Sequence, residues 1–315
     1  MRRLVTLVLS VLALMGAIGR AAADDTLKVA IPQKGAWDAG LVELGQRAGI
    51  FKKHGLVLDT LYTAAGPESI QAMIAGSIDV AVASGVSAAL GTFAKGAPIR
   101  IISSEMTGAP DLYWFVPADS PIHTIEDMNG KTVAFSAVGS SSHASLLALI
   151  AQYHLTAKPT PTGNIASTIT QTMTKQVDVG FGAAPFGLDL VESGKTRIIA
   201  TGSDVTALNG HAVRVNLTGA PTLQNKHDVI VRFMQAYRET VDWMYSDPEA
   251  LKIYGEYANL PPNIVQRVLK LVPKQALQTD QVMGLDDVMA AAVKQKFLAA
   301  PLTADQLKEL IQIPK

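Results

Sequence analysis

The stretch of the chain with the most potential chemistry is Gly139-Ser140-Ser141-Ser142-His143, directly before the apolar helical pattern of residues 144–152. A helix start presents free backbone N–H groups and about half a positive charge. Hydroxyls at that point either cap the helix or help hold an anionic or polar head group. His143 beside three serines also suggests a general base for a nucleophile. It falls within the first helical turn, however, and no acid nearby in sequence would orient it. A polar wall or a cap is therefore the expected role. The chain has no G-x-S-x-G elbow, no S-x-x-K and no H-E-x-x-H. Gly130-Lys131-Thr132 and Gly194-Lys195-Thr196 imitate the end of a phosphate-binding loop, but each lacks the upstream glycine and leads into a strand. His54, His123, His143, His154, His211 and His227 are dispersed without ligand spacing, so neither a metal nor any other cofactor is expected. Asn216-Leu217-Thr218 is a glycosylation sequon without meaning in a bacterial exported protein.

These residues need elements to position them. Residues 1–23 read as a signal peptide: basic Arg2-Arg3, an apolar run from Leu4 to Ile18, and Ala21-Ala22-Ala23 as the cleavage site. The run is short for a membrane span. Arg2-Arg3 is a weak twin-arginine signal, and no cysteine follows to carry a lipid anchor. Removing 23 residues from 315 leaves 292, enough for two lobes. The removed segment holds three arginines and no acid, so 24 basic residues face 27 acidic ones, a formal charge of −3. That balance gives no support to nucleic acid or an anionic membrane as partner. With no cysteine, neither disulfides nor thiolate chemistry can occur.

Short apolar strands alternate with helical patterns, which implies βα units and largely parallel sheets. Strands are expected at 27–31, 56–62, 78–83 and 99–103, with helices at 39–51, 67–75 and 86–94. A second series has strands at 113–116, 131–135, 177–181 and 197–201, a helical turn at 124–127, and helices at 141–153 and 165–175. The two series repeat one another. KVAIPQKGAW matches KTVAFSAVGSSSH, and GSIDVAVASG matches KQVDVGFGAA, with Asp79 and Asp178 in equivalent places. Residues 211–219 look extended, and helices follow at 229–245, 248–259, 262–271, 286–298 and 304–310. Trp243, Tyr245, Tyr254 and Tyr257 in this tail are expected to pack rather than to touch ligand. The expected organisation is a lobe of residues 24–105 and 210–315 with C-terminal helices, a second lobe of residues 106–209, and two crossings that form a hinge. In such sheets ligands bind beyond the carboxyl ends of the strands. The loops there are 33–37, 65–66, 84–87, 139–143, 164–165 and 184–186.

The chain resembles the periplasmic substrate-binding proteins of ABC importers, in the sulfonate, taurine and nitrate branch that includes thiamin-pyrimidine binders. GIFKKHGLVLD, AGSIDVAVAS, KGAP, TIEDMNGKTVAF, GSSSHASLLALI and FMQAYRETVDWMYSDPEA carry the resemblance, in that order, with Met128 where the family usually has leucine. The resemblance implies a two-lobed α/β periplasmic-binding-protein fold, type II-like, with a helical C-terminal segment. It implies a monomer in the periplasm that binds a small organic solute, anionic solutes included, between its lobes and delivers it to a membrane permease. The solute-binding residues it implies are Gln33, Trp37, Gly66, Ser84, Gly85, Gly139, Ser140, Ser141, Ser142, His143, Pro185 and Phe186. The expected site is roomy and fairly apolar, with Trp37 and Phe186 as walls. A ligand-sensing partner of a membrane receptor and a periplasmic lyase or hydrolase on the same lobes remain as alternatives.

Overall fold

The computed structural model describes residues 24–315, so the expected signal peptide lies outside the described residues. Five strands form the first sheet: β1 (Asp25–Pro32), β2 (Leu56–Thr63), β3 (Val80–Gly85), β4 (Ile99–Thr107) and the late strand β10 (Ala212–Gly219), in the order β2-β1-β3-β10-β4. β1 runs parallel to β2 and β3, and β10 runs antiparallel to both β3 and β4. Four strands therefore point one way and one points back. The strands β5 (Leu112–Pro117), β8 (Gly180–Ala183) and β9 (Thr196–Thr201) form a second, antiparallel sheet in the order β8-β5-β9. The parallel pair β6 (Thr132–Phe135) and β7 (Lys158–Pro161) joins it through a bridge between Val133 and Val179. The combined order β7-β6-β8-β5-β9 repeats that of the first sheet strand for strand, again with one strand reversed.

The repeat reaches individual bonds. Asp79 accepts from the Lys28 N–H at 3.0 Å, and Asp178 accepts from the Thr132 N–H at 2.8 Å. The Thr63 and Ser69 hydroxyls meet at 2.7 Å, as those of Thr162 and Thr168 do at 2.6 Å. The sequence likeness of the two halves thus reflects two copies of one βα arrangement. The chain leaves the first sheet between β4 and β5 and returns between β9 and β10.

Helices cover the sheets where the apolar periodicity places them: α3 (Gly66–Ile74), α4 (Val86–Ala94), α5 (Ser141–Gln152) and α6 (Ile165–Met173). Pro67 opens α3, where its missing N–H costs nothing. The single helix expected over 39–51 is two, α1 (Leu41–Arg47) and α2 (Ile50–Lys53), because Gly49 adopts φ +77° between them. Sequence periodicity also misses β7 and the short helix α7 (Leu188–Glu192). β7 reads Lys-Pro-Thr-Pro, and two prolines are compatible only with the edge position it occupies.

The tail contributes α8 (Ala220–Asn225), α9 (His227–Ser246), α10 (Pro248–Ala258), α11 (Pro262–Leu271), α12 (Leu285–Lys294) and α13 (Ala304–Leu310). Phe233, Tyr237, Tyr254 and Val268 pack with Leu27, Phe51 and Leu58 on one side of the first sheet. Val288, Ala292, Leu298 and Leu310 pack with Ile70, Leu90 and Ile101 on the other. A third cluster around Trp114, Phe135, Leu146 and Phe181 fills the second lobe. The tail therefore completes both faces of the first lobe. Asn216 of the sequon is buried in β10, where it bonds to the Ala83 N–H and the Ser103 hydroxyl. Among the described residues no helix is long and apolar enough to cross a membrane.

α1 lies against α9 with Gly45 at the contact. A Cβ there would stand 2.7 Å from Phe51 Cε2 and also collide with the Thr240 hydroxyl. Gly45→Ala should therefore destabilise the protein by about 1–3 kcal/mol through overpacking, against the gain of about 1 kcal/mol expected from helix propensity alone. A lower urea midpoint at unchanged slope would show this; a higher midpoint would mean that the contact yields.

Candidate functional site

The carboxyl ends of the strands in both lobes meet around a small cavity of about 60 Å³. A single water needs roughly 10–15 Å³ by the same kind of measure, so the space fits a small solute or a few waters. Its walls come from both lobes. Gln33, Asp38, Gly66, Gly85 and Arg214 belong to loops and strands of the first, and Asp111, Ser140, Ser141, Ser142 and Ile165 stand on the other side.

Local chemistry explains each wall. Ser140 is the N-cap of α5, and its Oγ accepts the His143 N–H at 3.2 Å. The Ser142 hydroxyl meets those of Ser136 and Ser140, each at 3.0 Å, and accepts the Ser136 N–H. The starts of α3, α4 and α6 also line or adjoin the cavity through Gly66, Gly85 and Ile165. Four helix N-termini, whose first N–H groups have no partner within the helix, therefore converge there. Gln33 bridges the lobes: its Nε2 donates to the Ala64 carbonyl at 2.7 Å, and its Oε1 accepts the Ile165 N–H at 3.4 Å. Gln33 and Ala83, both in the walls, hold φ of +61° and +49°. Residues with a Cβ adopt this conformation rarely, and at functional sites disproportionately.

The strongest charges in the wall were not chosen from sequence. Arg214 enters from β10 and is almost wholly buried. It donates to Asp38 at 2.8 Å, to Asp111 at 2.9 Å, to Met106 Sδ at 3.0 Å and to the Ser141 hydroxyl at 3.0 Å. Burial would lower the guanidinium pKa, but the carboxylates of Asp111, Asp38 and Glu105 outweigh it and hold the group above its ordinary value. Asp111 sits above the usual carboxylate range because of burial, with Arg214 opposing. Its Oδ1 has no hydrogen-bond partner among the described residues. Glu105, near the end of β4, is buried with both oxygens unpartnered among the described residues, and burial and the Asp38 charge push its pKa well up. A lone charged residue in the apolar run HAVRVNLTG was the sequence signal for Arg214. Asp38 directly follows the QKGAW loop.

The sequence-derived residues divide. Gln33, Gly66, Gly85, Ser140, Ser141 and Ser142 line the cavity together. Trp37 does not: its ring is buried against Tyr254 and Tyr245, and its Nε1 donates to the Tyr245 hydroxyl at 2.8 Å. Phe186 packs beside Gly35 and Ala258 where the lobes touch, outside the walls. Pro185, after a cis peptide bond, is outside them too. The roomy, aromatic-walled site expected from these residues is instead small and carries buried charges, because the aromatic rings pack against the tail. Ser84 is buried behind the wall with its hydroxyl unpartnered. Gly139 shapes the loop at φ +86°. His143 stacks on Phe135 at 4.1 Å, and its Nδ1 accepts the Gly139 N–H at 3.3 Å. Burial lowers its pKa, so the neutral ring is a packing group that does not face the serines as a base.

Two outcomes follow from this geometry. A Cβ on Gly85 would lie 3.0 Å from the Gly139 carbonyl and from the Ser141 nitrogen across the cleft. Gly85→Ala should make those backbone atoms give by a few tenths of an ångström and lower the melting temperature through overpacking; an unchanged or higher melting temperature would mean that the loop yields freely. For Glu105, the folded chain keeps a proton that the unfolded chain loses near its ordinary value of 4.5. Stability is therefore lost as pH rises from there towards the raised folded value. Glu105→Gln should be neutral at pH 4 and increasingly stabilising towards pH 8, with the melting temperature rising by roughly 2–4 °C per kcal/mol. Calorimetry at the two pH values reads the difference.

Residues 41–251 match the family described as NMT1/THI5 like. No curated protein matches the sequence. The fold resembles the alkanesulfonate-binding protein SsuA from Xanthomonas axonopodis pv. citri bound to MOPS, with 20% identity, TM-score 0.76, and coverage of 93% of this chain and 100% of that one. It also resembles the nitrate-binding protein NrtA from Synechocystis PCC 6803, with 13% identity, TM-score 0.71, and coverage of 91% and 86%. A Candida albicans protein described as having the generic periplasmic binding protein fold matches with 14% identity, TM-score 0.70, and coverage of 92% and 97%. At these identities the structures establish the fold, and the sequence match establishes the family: the chain belongs to the NMT1/THI5-like family, on a two-lobed periplasmic-binding-protein fold.

Proposed function

We propose that the protein is the solute-binding component of an ABC import system. It binds a small organic solute between its lobes and presents the closed form to a membrane permease. The observation that carries this reading is the cavity walled jointly by both lobes, with Gln33 and Arg214 each bonded across the cleft. A solute that contacts both walls is bound more tightly by the closed form and so shifts the open–closed equilibrium towards it. The division into residues 24–105 with 210–315 and residues 106–209 places the hinge at the two crossings between the sheets. Gln33, Gly66, Gly85 and Ser140 to Ser142 are the proposed contacts, joined by Asp38, Asp111 and Arg214. Residues 1–23 would direct the chain to the periplasm, where it would act as a monomer without metal or other cofactor. A non-enzymatic role agrees with the site, since Asp38 and Asp111 are held by Arg214 and His143 is held by Phe135 and Gly139.

Purified protein should melt at a higher temperature with at least one member of a panel of sulfonates, carboxylates, aromatics and pyrimidines, by about 2.7 kcal/mol at a hundredfold excess over Kd. The same compound should reduce the radius of gyration in small-angle scattering. A flat response across the panel would contradict the proposal, and so would turnover of any member that is lost on Ser142→Ala.

A further inference from the structure

The charges of the cavity do not balance. Arg214 brings one positive charge, and Asp38 and Asp111 bring two negative ones. The guanidinium is already engaged: one terminal nitrogen donates to Asp38 and Met106, the other to Asp111, and Nε donates to Ser141. Four of its five N–H groups are thus spent, and the fifth is on the nitrogen that already holds Asp111, so an anion received there would sit against a buried carboxylate in a site shielded from water. The side-chain amide of Gln33 and the hydroxyls of Ser140 and Ser142 are likewise engaged with protein groups. Asp111 supplies the opposite demand. It lines the cavity, is 3% exposed, and keeps Oδ1 without a partner among the described residues. Beside it on the same wall, joined through Arg214, the first N–H groups of α5, a helix of 12 residues, suit an acceptor atom. The same wall thus offers an acceptor at Asp111 and donors at the start of α5, and the formal charge of the lining side chains is negative.

Resting on the cleft-binding role proposed above, we infer that the cavity selects a small solute that is not a net anion. The solute presents an amino, amide or amidino N–H to Asp111 Oδ1 and an acceptor or π-face to the start of α5. Plain oxyanions are disfavoured because Arg214, the cation that lines the cavity, already faces two buried carboxylates. The specificity device is therefore Asp111, and Arg214 acts on it as a positioning residue that fixes its other oxygen.

Isothermal titration of the chain from residue 24 with isosteric probes tests the inference. Acetamidinium should bind at least tenfold more tightly than acetate, and guanidinium at millimolar concentration should bind more tightly than nitrate. In Asp111→Asn, the acetamidinium-to-acetate ratio should fall towards one. Acetate or nitrate binding as tightly as its isostere would overturn the inference while leaving the solute-binding role intact. So would an unchanged ratio in folded Asp111→Asn. Should that variant not fold, the two ratios in the native chain decide. Failure of all four probes also overturns it, and the melting and scattering response to the wider panel then judges the cleft role separately.

Discussion

The arrangement of the site depends on one buried contact, Arg214 between Asp38 and Asp111. Arg214 stands on the strand that completes the first sheet, Asp38 on the loop after the first strand, and Asp111 on the segment that enters the second lobe. Removing Arg214 would leave two uncompensated carboxylates in the interior, which is far costlier than the contact is stabilising. The contact therefore specifies geometry more than it adds stability. It fixes where the two lobes meet and which oxygen of Asp111 is left without a partner among the described residues. Glu105 lies in the same field, where burial and the Asp38 charge hold its pKa well above the ordinary value.

Around that contact the two halves converge by the same construction. Each half is a βα layout with a reversed fourth strand, and each directs helix starts at the cleft. The equivalent bonds of Asp79 and Asp178, and of Thr63–Ser69 and Thr162–Thr168, show how closely the halves correspond. The helix starts favour acceptor atoms, and the carboxylates favour donors. A solute that satisfies both holds the lobes together, which is how binding becomes a change of shape. The tail helices cover both faces of the first lobe's sheet.

Much of this was legible in the sequence. The alternation of strands and helices, the internal repeat and the serine loop before α5 all follow from local periodicity and capping. What was not legible depends on tertiary partners. Trp37 looked like a cleft wall because its loop borders the cleft. Whether its ring turns towards solute or core is decided by Tyr245 and Tyr254, more than 200 positions away. The Phe186 ring is similarly claimed by the contact beside Ala258. Arg214 was visible only as a single charge in an apolar strand, and its meaning required Asp38 and Asp111, which no spacing rule connects. β7 was hidden because its two prolines argue against a strand anywhere except at an edge.

The central claim is that solute sits inside this cavity, between Asp111 and the start of α5, with both lobes closed upon it. A crystal structure of the protein with the solute it retains through purification tests that claim most directly. The account predicts solute density within hydrogen-bonding distance of Asp111 and the Ser141 or Ser142 N–H, with Arg214 still joined to both aspartates. Density lodged elsewhere, or an Arg214 that has left Asp111 to pair with the solute, would contradict it.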